Sequence, residues 1–150
     1  MVANLPYYVT TPIITRLLES DLDLESITIM VQKEVAQRLV ADENSKDNSS
    51  ISLFVKYYAD ANIAFSVSRN VFVPAPNVDS AVVNMRLKKE RFECEKTMFK
   101  LIKNGFENRR KTILNSFCKS GIEKEKIIKV LEKLDIDMIE IGRASCRERV

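Results

Sequence analysis

The sequence has no histidine, no tryptophan and only three glycines among its 150 residues. Without histidine, the chain cannot use a histidine general base, a His-ligated zinc ion or a serine-type catalytic triad. The glycines, Gly105, Gly121 and Gly142, lie too far apart to form a glycine-rich loop for phosphate or a dinucleotide. The three cysteines are odd in number and widely spaced, which excludes a disulfide framework and a CxxC metal site.

The sequence also has no long apolar run and no charged leader followed by an apolar segment. A membrane-spanning helix needs roughly 18 apolar residues or more, and a secretory signal has a recognisable cleavage site after its apolar core. The composition, 45% hydrophobic and 30% charged, is that of a globular protein. We therefore expect a cytoplasmic protein in a reducing compartment.

Charge is distributed unevenly along the chain, although the net charge is only +3. Residues 1–65 carry five Lys or Arg and nine Asp or Glu, whereas residues 100–119 carry six Lys or Arg and one Glu. A local basic cluster of this kind most often binds nucleic acid, although a solvated helix face is the simpler explanation of any single charge run.

The hydrophobic pattern predicts an α/β region up to about residue 90. Strands are predicted at 26–32, 63–71 and 81–87, and helices at 12–19, 33–41 and 51–61. The last two strands, joined by a stiff double-proline connection, are expected to form an antiparallel pair. At the first helix, Thr-Thr-Pro predicts a Thr N-cap followed by Pro at the first helical position.

After residue 90 every predicted element is a helix. The predicted helices span 96–107, 109–119 and 123–134, and Ser120-Gly121 separates the last two. The predicted organisation is therefore an α/β region at 1–89, a small all-α domain at 90–139 and a tail at 140–150 that breaks the helical pattern.

Asn4-Leu5-Pro6-Tyr7 follows a short apolar segment at the position where α/β sheets place ligand sites. A turn that simply ends a strand is the plainer interpretation of an isolated Asn-x-Pro. The functional interpretation is that the Asn4 side-chain oxygen and a backbone carbonyl, at Leu5 or Pro6, accept hydrogen bonds from an adenine amine. Tyr7 would then stack on a base that has left its helix.

Phe72 begins a Pro-rich segment, Phe-Val-Pro-Ala-Pro, that can hold its ring in a fixed position outside the strands. A rigid, exposed aromatic ring is a good surface on which a base can stack. The alternative, a hydrophobic plug beneath a Pro-rich loop, explains the segment equally well when it is taken alone.

Four segments, taken in order, resemble the second half of the ribosomal RNA adenine dimethyltransferase family: VANLPYYVTTPII, ITIMVQKEVAQRLVA, VFVPAPNVDSAVV and GFENRRKTILNSF. The resemblance runs from about Val2 to about Ile139. It implies the second half of a Rossmann-like, S-adenosylmethionine-dependent methyltransferase sheet, which ends in an antiparallel strand pair and is followed by a helical RNA-binding domain. It also implies N6,N6-dimethylation of two adjacent adenosines in small-subunit ribosomal RNA.

The resemblance assigns the catalytic motif to residues Asn4, Leu5, Pro6 and Tyr7. Within that motif Asn4 is expected to lie against the methyl donor and the target amine, and Tyr7 to stack on the adenine. Phe72 matches the aromatic residue on the other side of the base. No metal is implied. The expected partner is small-subunit ribosomal RNA or a pre-assembled small ribosomal subunit, bound by a monomer.

The RNA contacts are expected in the basic stretch of the helical region. Arg109, Arg110 and Lys111 match the family's basic C-terminal domain, and Lys103 belongs to the same stretch. Leu5 and the Pro-Asn-Val-Asp-Ser-Ala run favour the small-subunit group over relatives that methylate large-subunit RNA and confer macrolide resistance.

The chain also departs from the family at both ends. The glycine-rich loop and the acidic residues that hold the methyl donor are not present, so we expect a fragment that lacks the first half of the sheet and is inactive alone. Glu140–Val150 has no family counterpart and matches a translated sequencing adapter, so we expect this tail to be non-native. A non-catalytic ribosomal RNA-binding or ribosome-assembly module is the alternative function, and a large-subunit methyltransferase is another.

Overall fold

The computed structural model describes residues 1–107 and 111–138, so Arg109, Arg110 and the predicted tail at 140–150 lie outside the described residues. The chain divides into two compact units, Met1–Glu90 and Arg91–Val150. The first unit has the α/β architecture that the sequence predicts. Neither described range contains a helix that is long and apolar enough to cross a membrane.

The first unit contains a mixed four-stranded sheet of β1 (Val2–Asn4), β2 (Ser26–Gln32), β3 (Ala59–Val67) and β4 (Ser80–Leu87), in the strand order β1-β2-β4-β3. Strands β1 and β2 are parallel, whereas β4 is antiparallel to both β2 and β3, which confirms the predicted antiparallel pair. Short 3-10 helices at Tyr7–Val9 and Arg69–Val71 connect these elements. The α-helices of this unit are α1 (Thr10–Leu18), α2 (Lys33–Leu39) and α3 (Ser50–Tyr58).

The core lies on one face of the central strands. Alternate residues of β2 are buried and stand opposite alternate residues of β4, with Ile29 paired to Val83. The other face of β2 is only half-buried, and there the Asn84 amide donates to the Thr28 hydroxyl over 2.9 Å. The uncharged run of β2 indicates a fully buried strand, but in the described residues the strand alternates, because side chains of a strand point to opposite faces. The buried face is covered by apolar side chains of the three helices, including Ile14, Leu18, Ala36, Leu39, Phe54, Val55 and Tyr58.

The boundaries of α3 and β3 differ from the predicted ones. The helix expected at 51–61 ends at Tyr58, because Ala59 already pairs with Leu87 of β4. Strand β3 therefore starts four residues earlier than predicted and ends at Val67, and a 3-10 helix occupies Arg69–Val71. Apolar residues in this segment fit either period, and the pairing partner decides between them.

The start of α1 also differs. The helix begins at Thr10 after Val9, and no side chain caps it. The Thr10 hydroxyl instead donates backwards, to the carbonyl oxygens of Pro6 at 3.1 Å and Tyr7 at 3.3 Å. The predicted Thr cap before Pro12 is therefore wrong, because the helix already begins at Thr10 and Pro12 is its third residue.

The described part of the second unit holds three helices, α4 (Glu95–Glu107), α5 (Ile113–Cys118) and α6 (Lys124–Lys133). The Asn104 amide donates to the buried Ser120 hydroxyl over 2.7 Å and joins α4 to the end of α5. Gly121 follows with φ 79°, a left-handed conformation that suits glycine after a helix. The predicted break between the last two helices is confirmed.

Candidate functional site

A cavity of about 330 Å³ opens where the parallel strands β1 and β2 end. Its lining comes from three places in the chain: the Asn4-Leu5-Pro6-Tyr7 segment, β2, and the Pro-rich loop before β4. All five residues that the sequence predicts for catalysis or base stacking therefore meet at one cavity. The complete lining is Asn4, Leu5, Pro6, Tyr7, Met30, Phe72, Pro74 and Pro76.

Asn4 is the last residue of β1 and pairs with Met30 of β2. The Leu5 amide then donates to the Met30 carbonyl over 3.4 Å, so the chain leaves the sheet only after Leu5. Asn4 is exposed, whereas Leu5 is only 7% exposed. The Leu5 side chain is apolar and buried, and the Leu5 amide already donates to Met30. The polar group that Leu5 can offer the cavity is therefore its backbone carbonyl.

The two backbone carbonyls that the sequence leaves as alternatives are not equivalent. The Pro6 carbonyl already accepts two hydrogen bonds, from the Val9 amide at 3.2 Å and from the Thr10 hydroxyl at 3.1 Å. A carbonyl oxygen has two lone pairs, so both are engaged. Within residues 1–107 and 111–138 no donor reaches the Leu5 carbonyl. Of the two, the Leu5 carbonyl is the acceptor that remains available.

Tyr7 is fixed from outside its own segment. Its hydroxyl lies 2.7 Å from the Ser80 hydroxyl at the start of β4. Ser80 is 0% exposed and pairs with Gln32 of β2 on one side and with Val67 of β3 on the other, so it lies between two neighbouring strands. The tyrosine ring is therefore anchored by its tip, while its faces stay half-buried beside the cavity.

Phe72 follows the 3-10 helix Arg69–Val71, and its amide donates to the Arg69 carbonyl over 3.3 Å. The Ser68 hydroxyl accepts from the Asn70 amide and starts this turn. Phe72 is half-buried and lines the cavity, whereas the neighbouring Val73 is completely exposed. The Pro-rich loop therefore directs the aromatic ring of Phe72, and not the valine, towards the cavity.

The lining contains no carboxylate and no cation, so the cavity offers hydrogen-bond acceptors and ring surfaces. In the described ranges no cluster of three His, Cys, Asp or Glu could hold a metal ion. These features suit a neutral, planar, amine-bearing group better than a charged one.

Three contributors were missed by sequence reasoning. Met30 lines the cavity, Ser80 anchors Tyr7, and Thr10 occupies the Pro6 carbonyl. Met30 directly follows the buried Ile29 in β2, so strand alternation predicts that its side chain points to the opposite face of the sheet. Ser80 and Thr10 give no such signal, since small hydroxyl residues are common at the ends of strands and helices.

The basic residues lie in the second unit. Lys103 is exposed on α4, and Lys111 is exposed just before α5. Arg109 and Arg110 are the predicted RNA-binding residues that fall outside the described ranges. The Thr112 hydroxyl accepts from the Asn115 amide over 3.4 Å and caps α5, which positions the backbone directly after Lys111.

Comparison with known proteins gives matches along nearly the whole chain. The model of the family described as "Ribosomal RNA adenine dimethylase" matches residues 1–143. The Ribosomal RNA small subunit methyltransferase A of Clostridium botulinum (strain Loch Maree / Type A3) is 45% identical over 140 residues, which are 91% of this chain and 51% of that protein. The protein of the same name from Ligilactobacillus salivarius (strain UCC118) is 46% identical over 143 residues, 91% of this chain and 48% of that protein. The chain spans about half the length of the curated relatives it matches.

Two solved structures share the fold. The crystal structure of a dimethyladenosine transferase from Plasmodium falciparum matches with a TM-score of 0.78 and 24% identity, over 94% of this chain and 60% of that one. The crystal structure of 23S rRNA methyltransferase ErmE matches with a TM-score of 0.68 and 20% identity, over 95% of this chain and 58% of that one. At these identities the likeness concerns the fold alone.

Proposed function

The chain belongs to the ribosomal RNA adenine dimethylase family, and from this premise we propose that it supplies the base-binding part of an enzyme that dimethylates N6 of two adjacent adenosines in small-subunit ribosomal RNA. The observation that carries the proposal is the meeting of Asn4, Leu5, Tyr7 and Phe72 at one uncharged cavity. The names of the curated relatives favour the small subunit.

The chemical problem is the weak nucleophilicity of the adenine amine, whose lone pair is delocalised into the ring. Acceptors aimed at the two amine hydrogens hold the amine in the orientation from which its lone pair can attack. We assign these acceptors to the Asn4 side-chain oxygen and the Leu5 carbonyl, because the Pro6 carbonyl is already doubly engaged. For each methyl group that the amine gains, it releases one proton.

The ring of the adenine is held by stacking. We assign its two faces to Tyr7 and Phe72, which line the same cavity from different parts of the chain. Stacking between a base and an aromatic ring contributes about 1–3 kcal/mol per base. The Ser80 hydroxyl keeps Tyr7 in place, and the turn at Arg69–Val71 keeps Phe72 in place. The cavity is near the lower end of the size range of ligand pockets, about 300–1,000 Å³, which suits one base.

The methyl donor proposed for the family is S-adenosylmethionine, which supplies the methyl group. Among the described residues only Asn4, which lines the cavity, is placed to contact the reacting end of the donor. A glycine-rich loop for its adenosyl part is not found beside this cavity, because the glycines of the described ranges, Gly105 and Gly121, both belong to the second unit. No cradle for the adenosyl part is therefore assigned to these residues, and no step of the reaction is derived through the donor.

We also propose that the second unit binds ribosomal RNA through Lys103, Arg109, Arg110 and Lys111. Support comes from the sequence, where this stretch is the most basic part of the chain, and from the exposure of Lys103 and Lys111. Contacts between lysine or arginine and phosphate give binding that weakens as salt concentration rises.

The test compares wild type with Asn4→Ala in the protein as its gene encodes it. Transfer of labelled methyl groups from S-adenosylmethionine to small-subunit ribosomal RNA should be abolished by Asn4→Ala, while RNA binding in a filter assay is unchanged. Asn62→Ala is the matched control, because Asn62 is an exposed asparagine in β3 that does not line the cavity. Equal loss of transfer and of RNA binding would contradict the role assigned to Asn4.

The rival function is an RNA-binding module without catalysis. It is favoured by the same observation that limits donor binding, namely that no cradle for the adenosyl part is present in the described residues. If the wild-type protein binds ribosomal RNA tightly but transfers no methyl group to it under any donor concentration, the rival function is the correct one.

A further inference from the structure

The first unit also holds a second cavity, of about 460 Å³. The Asn4 cavity and this one draw on neighbouring residues, since Met30 and Pro76 line the first whereas Gln32 and Asn77 line the second. Unlike the first cavity, the second is charged: Lys33, Arg69, Glu34 and Asp79 are in its lining.

The charges of the second cavity are not paired with each other. Glu34 forms an ion pair with Arg38, one turn further along α2. The Asp79 carboxylate accepts a hydrogen bond from the Arg69 backbone amide over 3.0 Å. Across the described parts of the chain, neither Lys33 nor the Arg69 guanidinium has a carboxylate partner. The cavity therefore presents two cations that form no ion pair, beside two carboxylates, of which Glu34 pairs with Arg38 and Asp79 contacts a backbone amide.

Asp79 fixes the backbone of both cations. Its carbonyl accepts from the Lys33 amide over 3.0 Å, and its side chain accepts from the Arg69 amide over 3.0 Å. The Arg69 guanidinium in turn donates to the Asn77 carbonyl over 3.2 Å, which holds it beside the loop. The next residue, Ser80, anchors Tyr7 of the first cavity. One short segment therefore organises both cavities, and groups held in place before binding lose less entropy on binding.

We propose that the second cavity is an RNA subsite in which Lys33 and Arg69 bind the phosphate that joins the target adenosine to a neighbouring nucleotide. The inference rests on the proposed function, which places the target base in the first cavity. A base held by its amine and its two faces leaves its ribose and phosphates outside that cavity, and the second cavity, whose lining draws on neighbouring residues, holds two cations that form no ion pair. Arginine and lysine are the usual partners of phosphate.

The test measures RNA binding by the full 150-residue chain. The probe is a single-stranded RNA that keeps the target adenine with its N6 amine and carries fluorescent 2-aminopurine in place of the adenine next to it. For single strands the logarithm of affinity falls with the logarithm of salt concentration by about 0.7 per phosphate contact. Because both side chains bind one phosphate, we expect the Lys33→Gln/Arg69→Gln double variant to reduce this slope by about 0.7, and each single variant to reduce it by no more than that. Lys46→Gln is the matched control, because Lys46 is exposed in the loop between α2 and α3 and lines neither cavity.

A neutral methylphosphonate placed at the phosphate 5′ or 3′ of the target adenosine identifies the contact. At one of these positions it should weaken binding to wild type and to Lys46→Gln, but should have no further effect on the Lys33→Gln/Arg69→Gln variant. Additive losses at both positions would overturn the subsite while leaving the proposed function intact. If wild type neither binds the RNA nor changes the 2-aminopurine fluorescence, the proposed function fails, and the subsite that rests on it fails too.

Discussion

The hydroxyl groups of Tyr7 and Ser80 lie 2.7 Å apart, although 73 residues separate them in the sequence. The contact joins the segment after β1 to the first residue of β4. Its two ends differ in their surroundings, because Ser80 is completely buried whereas Tyr7 is half-buried. The tyrosine hydroxyl can find water when its partner is lost, and the serine hydroxyl cannot.

This asymmetry predicts the order of two substitutions. Tyr7→Phe should destabilise the fold by about 1–3 kcal/mol, because it leaves a buried hydroxyl without a partner. Ser80→Ala should cost less, since it removes the buried polar group itself. The double variant should be no less stable than Tyr7→Phe. Urea unfolding followed by circular dichroism measures all three, and additive losses in the double variant would show that the two hydroxyls do not interact.

Phe72 gives a prediction on base binding. If the ring of Phe72 stacks on the base, Phe72→Leu keeps an apolar side chain but removes the ring, and should weaken RNA binding by about 1–3 kcal/mol. The fluorescence change of 2-aminopurine placed beside the target adenine should fall in parallel. Val73→Ala is the control, because Val73 is adjacent, fully exposed and not part of the cavity. Equal effects of the two substitutions would mean that Phe72 does not stack on the base.

Much of this site could be predicted from the sequence because its residues are chemically unusual where they stand. Asn-Leu-Pro-Tyr after a strand and an aromatic residue beside two prolines attract notice without a structure. The strands and helices of the first unit were predictable from hydrophobic period, with errors at Thr10 and Ala59, where the turn before a helix or a pairing partner decides the outcome.

The supporting residues could not be predicted in the same way. Ser80 matters because β4 places it beside Tyr7, and Asp79 matters because two distant backbone amides converge on it. Such roles depend on register between strands and on where loops return, and neither is encoded in the local pattern. The same reason explains why the choice between the Leu5 and Pro6 carbonyls stayed open until the Thr10 hydroxyl was located.

The start of α3 gives a prediction on stability. The Ser52 hydroxyl accepts from the Ser49 amide over 3.0 Å and donates to the Arg38 carbonyl over 2.6 Å, so it joins the start of α3 to the end of α2. Ser52 is 2% exposed. Ser52→Ala removes both contacts, together with a third at 3.0 Å to the Ser49 hydroxyl, and should cost about 1–3 kcal/mol, more than a helix cap alone, at about 1 kcal/mol. Ser50→Ala is the matched control, since it alters a neighbouring serine outside these contacts. Similar unfolding free energies for the two variants would contradict the connecting role of Ser52.

The ion pair between Glu43 and Lys56 gives a prediction on pH dependence. The Lys56 ammonium lies 2.8 Å from the Glu43 carboxylate, and this hydrogen bond and charge lower the pKa of Glu43 and raise the pKa of Lys56. A lowered carboxyl pKa means that the contribution of the pair is present above the unfolded-state pKa of Glu43 and is lost as pH falls through the lower folded-state value. Because both side chains are exposed, the effect on stability should be small and should disappear as salt is added. In a carbon-13 NMR titration, Lys56→Gln should return the pKa of Glu43 towards its ordinary value, whereas Lys46→Gln should not. An unchanged Glu43 titration in Lys56→Gln would show that the pair does not form in solution.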